Sequence, residues 1–131
     1  MNRLEQELDL VRSAFPDAEL RSEGGVHWVR LPVYPLPDGL YKQGSEVEVT
    51  FRIPAEAGEP PYAFWVRPGL ELVSGAGLTN YGFPAETPWG SDWGQFSWTV
   101  EGAWVPKTDL AAGANALKFV RSFAERLAEG S

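Results

Sequence analysis

Residues 45–54 read Ser45-Glu46-Val47-Glu48-Val49-Thr50-Phe51-Arg52-Ile53-Pro54. Val47, Val49, Phe51 and Ile53 alternate with Glu46, Glu48, Thr50 and Arg52. Successive side chains of an extended chain point to opposite faces. The stretch therefore predicts a strand buried on one side and wet on the other, as in an antiparallel sheet covered on one face.

Upstream, residues 26–34 predict a second strand with Val29, Leu31 and Val33 on one side. Pro32 lacks the ladder N–H, which implies an edge position or a bulge. Gly24-Gly25 supplies a turn, and residues 18–23 predict a short strand before it. Pro-Asp-Gly marks a turn in the loop from Pro35 to Gly44. Leu4, Leu8, Val11 and Phe15 form one helical stripe that Pro16 ends.

Downstream, Ala55-Glu56-Ala57-Gly58-Glu59-Pro60-Pro61 is irregular, and residues 62–67 predict a strand stopped by Pro68-Gly69. Between 68 and 95 the periodicity dissolves, and a segment this long without regular structure is usually functional or partly structured. Residues 96–100 predict one more short strand. Thr108 or Asp109 is placed to cap a final helix with the stripe Ala116, Phe119, Val120, Phe123 and Leu127, and Gly130 follows it. Helices at both ends of a run of antiparallel strands give an α+β fold in two layers, one domain over residues 1–131.

The net charge is −7, and no face concentrates Lys or Arg, which argues against nucleic acid and leaves a basic protein partner open. The absence of cysteine excludes disulfides, zinc–thiolate sites and a thiol nucleophile. His27 is the only histidine, so no multi-histidine metal site forms within one chain, and neither metal nor cofactor is expected. No leader pattern and no membrane-length apolar run stands out, which gives the expectation of a soluble, cytoplasmic domain without a membrane partner.

Phosphate-binding, dinucleotide-binding and nucleophile-elbow motifs are missing. Glu46 and Glu48, or Glu56 and Glu59, are pairs of carboxylates whose simplest role is solvation. His27 alternates with Val29 and Leu31, so it faces inward or sits at the sheet end. The stretch Gly94-Gln95-Phe96-Ser97-Trp98-Thr99-Val100-Glu101-Gly102-Ala103-Trp104-Val105-Pro106 sets Ser97 between two aromatics. Alternation alone makes Ser97 and Thr99 the polar side of a strand.

Pro60-Pro61 leading into Tyr62-Ala63-Phe64-Trp65-Val66, an irregular segment, Phe96-Ser97-Trp98, and Trp104-Val105-Pro106 before a helix together resemble the ubiquitin-conjugating (UBC-like) superfamily over residues 2–128. The resemblance implies an N-terminal helix, a four-strand antiparallel meander, an active-site segment and a helix packed on the sheet. The family's His-Pro-Asn motif and its helices beyond the central one are missing here, with Asn80 a loose stand-in for the motif. The family's cysteine lies about eight residues before the tryptophan of its Trp-x-Pro. Here that count from Trp104 reaches Phe96 at eight and Ser97 at seven.

The resemblance thus makes Ser97 the acceptor, in the manner of the cysteine-less bacterial branch found in operons with a ubiquitin-like protein and an activating enzyme, some linked to phage defence. A serine hydroxyl needs an adjacent base, and Asp92, Glu101 and Asp109 are the local candidates, with His27 more remote. On the same resemblance Glu5 and Glu7 of the first helix meet the activating enzyme, and Trp104 enters the central helix. Two alternatives stay open. One is a non-catalytic UBC-like module that holds a ubiquitin-like protein on Glu46, Glu48, Thr50 and Arg52. The other is a small acidic immunity or scaffold protein.

Overall fold

The computed structural model describes residues 2–53, 61–100 and 104–131. The chain begins with helix α1 (Arg3–Ala14), capped by the Asn2 side chain, which accepts from the Glu5 amide at 2.8 Å. Strands β1 (Glu19–Glu23), β2 (Val26–Pro35), β3 (Glu46–Ile53) and β4 (Phe64–Arg67) follow. Strands β5 (Tyr81–Thr87) and β6 (Gly90–Phe96) come next, then helix α2 (Ala116–Glu129). The sheet is antiparallel throughout, in the order β1-β2-β3-β4-β6-β5. The hook before Pro61, including Glu56, Glu59 and Pro60, and also Glu101, lie outside the described residues.

The strand predicted from residues 45–54 is β3, interior in the sheet, and its apolar side chains are all buried. They face α2, whose predicted stripe of Ala116, Phe119, Val120, Phe123 and Leu127 is buried against them. Pro32 falls at the irregularity between Leu31 and Tyr34, where the β2–β3 register shifts, so the bulge reading of this proline holds. The helix begins later than Thr108 or Asp109. Gly113 packs so close to the Val105 carbonyl and the Lys107 amide that no side chain fits there. Asn115 then caps α2, accepting from the Lys118 amide at 2.9 Å.

The sheet has six strands where a four-strand meander was expected. The additional pair is the β5–β6 hairpin, inside the segment whose periodicity dissolves. β5 carries Gly82 and Pro84, and as an edge strand it tolerates a proline that an interior ladder would not. β6 keeps Gly94 because the Tyr81 hydroxyl occupies the space a side chain would need. The Tyr81 ring lies against Phe96 at 4.6 Å, and its hydroxyl accepts from the Leu70 amide at 2.8 Å.

The tip of this hairpin corrects a second expectation. The outer face of β3 is not simply wet. Trp89 Nε1 donates to Thr50 Oγ1 at 3.0 Å, and Thr50 Oγ1 donates to the Val29 carbonyl at 2.8 Å, leaving Thr50 fully buried. Arg67 Nη1 holds the Trp89 carbonyl at 3.1 Å, and Arg21 Nη1 holds that of Pro88 at 2.5 Å. A second, smaller apolar cluster forms beneath, from Ala63, Trp65 and Trp93 with Trp28, Ala85 and Trp89 packed on it.

Tyr34 ties β2 to α2: its hydroxyl donates to the Val120 carbonyl at 2.7 Å, and burial pushes the phenol up to about 12. Folding therefore favours the protonated phenol. That contribution is complete below the unfolded value near 10 and is lost as pH rises through about 12. Two units correspond to about 2–3 kcal/mol. Urea denaturation across this alkaline range should show wild-type stability falling more steeply than that of Tyr34→Phe; parallel curves would contradict the assignment.

Candidate functional site

Ser97 follows the last residue of β6, and its amide donates to the Asn80 carbonyl at 2.8 Å. This bond extends the Tyr81–Phe96 register by one pair. Asn80 has φ +53°, a left-handed conformation that asparagine tolerates better than most residues. Phe96 is buried in the core, and Trp98 packs against it with Nε1 donating to Ser122 Oγ at 3.0 Å. Alternation therefore turns Ser97 to the outer face, where it is exposed. The predicted facing of Phe96, Trp98 and Val100 holds, although regular pairing stops at Phe96.

The sequence candidates divide. Ser97 and Asn80 are brought together. Asp92 is not: it lies five residues back along the chain, roughly 16–17 Å at the usual strand rise per residue. There it approaches Arg67 Nη1 at 3.5 Å. Asp109 is exposed and caps the short 3₁₀ turn Leu110–Ala112, accepting from the Ala111 amide at 3.3 Å. His27 Nδ1 shares a hydrogen bond of 2.7 Å with Ser22 Oγ, across the β1–β2 pair at the far side of the sheet. Among the described residues no carboxylate or imidazole hydrogen-bonds to the Ser97 hydroxyl. None of their clusters of His, Cys, Asp and Glu is suited to a metal ion.

The expected binding residues also differ from one another. Glu5 and Glu46 are exposed. Glu7 is 6% exposed and committed at both carboxylate oxygens. Its Oε2 accepts from the Ala116 amide at 2.6 Å, at the start of α2, and its Oε1 pairs with Arg3 Nη2 at 2.9 Å. Glu48 is half-buried; its Oε2 accepts from Arg67 Nη2 at 2.7 Å and Arg30 Nε at 3.1 Å. Arg52 lies over the Trp28 and Trp65 rings at 5.5 and 5.1 Å. The β3–β4 ladder ends at Thr50 and Trp65 and the β4–β6 ladder at Phe64 and Phe96; beyond them Ala63, at φ +69°, donates to the Trp98 carbonyl at 2.8 Å, so no regular row links Arg52 to Ser97. Trp104 is half-buried with its ring edge-on to Phe119 at 6.5 Å.

Arg126 escaped the sequence reading. It sits at the end of α2 and is 4% exposed. Nη2 donates to the Thr79 carbonyl at 2.6 Å, Nη1 to that of Gly130 at 2.9 Å, and the guanidinium covers the Phe96 ring at 4.8 Å. One side chain thus holds the turn before Asn80 and the residue before Ser97. A lone basic residue in the last turn of a helix reads as ordinary dipole complementarity, so nothing in the sequence sets it apart.

Comparison with protein-family models, curated proteins and solved structures finds no match to this chain. The class is therefore defined by the fold and site alone: a two-layer α+β protein with an exposed serine beside a left-handed asparagine at the end of an interior strand. No helix among the described residues is long and apolar enough to cross a membrane.

Glu7 gives a direct test of how this scaffold is held. Glu7→Gln removes the charge at the α2 N-terminus and weakens both hydrogen bonds, at a cost of about 1–3 kcal/mol. Glu5→Gln, on the exposed side of the same helix, should stay within about 0.5 kcal/mol. Equal denaturation midpoints for the two variants would show that Glu7 is not the clamp.

Proposed function

We propose that this chain is a ubiquitin-conjugating-like protein of the cysteine-less bacterial kind, in which Ser97 accepts the C-terminus of a ubiquitin-like protein and passes it to an amine or hydroxyl. The observation that supports the reading is the backbone pairing of Ser97 with Asn80, the two residues that the same resemblance singles out through different motifs. In the acceptor step the Ser97 Oγ attacks the activated terminal carbonyl delivered by the activating enzyme. An ester C–O bond forms as the bond to the activating group breaks, and the hydroxyl proton leaves with that group. Transfer repeats the exchange, with the incoming nucleophile displacing Oγ, which regains a proton. Glu5 and Asp9 are the exposed acids on α1 still available to a docking enzyme, since Glu7 is internally engaged.

A second reading has its own support. Among the described residues the Ser97 hydroxyl lacks the adjacent base that a serine nucleophile requires. That favours a non-catalytic module that binds a ubiquitin-like protein without forming a covalent bond. An acidic scaffold or immunity role rests on the net charge of −7 alone.

Incubation with a ubiquitin-like protein, its activating enzyme and ATP separates the first two. The acceptor reading expects an adduct that survives reductant and is cleaved by mild alkali or hydroxylamine. Ser97→Ala should abolish it with little effect on stability, because the side chain is exposed. Ser97→Cys should load at least as readily, a thiol being the better nucleophile, and give a reductant-sensitive adduct. Absence of any adduct with a demonstrably active activating enzyme would leave the binding module.

A further inference from the structure

On the outer face of the sheet, four arginines lie against tryptophan rings, so the fold gathers cations on one face where the sequence pattern predicts no such concentration. Arg21 and Arg30 approach Trp89 at 5.4 and 5.9 Å, Arg67 covers Trp93 at 4.6 Å, and Arg52 covers both Trp28 and Trp65. Three of these cations have carboxylate partners: Arg21 with Glu23, Arg30 with Glu19 and Glu48, Arg67 with Glu48 and Asp92. Arg52 has none among the described residues. Its hydrogen bond runs from Nη2 to the Tyr62 carbonyl at a long 3.3 Å. A guanidinium carries five donors in a rigid planar fork. Two indole rings flank this one, and no carboxylate among the described residues takes its donors.

Arg52 and Trp28 also line an open groove of about 540 Å³. Its walls are Glu23 and Val26 of the β1–β2 hairpin and Glu86 and Pro88 of the β5–β6 hairpin. The volume suits a ligand of a few residues or an equivalent small molecule. The charges select further. A polyanion would meet Glu23 and Glu86, while a wholly cationic ligand would face Arg52. Glu86 is exposed and has no cationic partner among the described residues.

We propose that this groove binds a dipolar ligand of the amino-acid or short-peptide class. Its free carboxylate takes the Arg52 fork, its apolar stem lies on Trp28 and Val26, and its cationic group faces Glu86 and Glu23. The site is separate from acyl transfer at Ser97 and stands or falls without it.

Calorimetric titration of the full chain with the tripeptide Lys-Ala-Ala as its free acid tests the proposal. Saturable binding is expected, weakened about tenfold by amidation of the peptide terminus and by Arg52→Lys, which keeps the charge and loses the fork. Glu86→Gln, an exposed change on the hairpin, should weaken the free acid several-fold, and Glu-Ala-Ala should bind more weakly than Lys-Ala-Ala. The proposal is overturned by the absence of saturation up to about 10 mM. It is equally overturned by equal affinity for acid and amide, by indifference to both substitutions, or by inorganic phosphate binding more tightly than the peptide.

Discussion

The stack of phenylalanine rings between α2 and the sheet is the interaction on which the rest of the structure depends. Phe123 lies on Phe64 at 4.2 Å with the planes 16° apart, and Phe64 lies on Phe96 at 4.9 Å and 20°. Phe51 and Phe119 meet Phe123 edge-on at 5.7 and 4.8 Å. All five rings are essentially inaccessible to solvent. Offset and edge-on aromatic pairs add about 0.5–1.5 kcal/mol each beyond the area they bury. Because the stack crosses β3, β4 and β6, it joins three strands to one helix and sets the face on which each alternating side chain falls.

The candidate site inherits its geometry from that stack. Phe96 is its last ring, and Ser97 is the next residue. Tyr81 presses on Phe96 from β5 and Arg126 covers it from α2. The same Arg126 holds Thr79, one residue before Asn80. The other end of α2 is fixed by Glu7, whose carboxylate meets the first amide of the helix and the Arg3 guanidinium. Arg3 in turn donates to the Lys107 carbonyl at 2.6 Å and the Ala114 carbonyl at 3.3 Å. Helix α2 is thus anchored at both termini by buried charges that are paired and hydrogen-bonded, the condition under which a buried charge is tolerated.

Periodicity explains which parts of this were legible in the sequence. Val47 to Ile53 and Ala116 to Leu127 each bury one face continuously, so their patterns of two and of three to four residues survive in the chain. The β5–β6 hairpin has no such pattern. Gly82, Phe83 and Pro84 are exposed on an edge strand, Gly94 is dictated by Tyr81, and Trp89 reaches across to another strand. Those constraints are tertiary and leave no local signature. Glu48 and Thr50 read as solvent-facing for the same reason: what covers them comes from residues 67 and 89. Ser97 was found by its position relative to Trp104, whereas Arg126 needed the fold to reveal it. Asp92, close to Ser97 along the chain, is carried away by the extended strand between them.

The central claim is that the aromatic stack and Arg126 hold Ser97 in a fixed position beside Asn80. Native-state hydrogen exchange at the Ser97 amide tests it most directly, because that N–H makes the bond to the Asn80 carbonyl. The account predicts exchange slowed at least about a hundredfold relative to an unstructured chain, although the side chain is exposed. A Ser97 amide that exchanges at the unstructured rate while the Phe51 amide stays protected would contradict it.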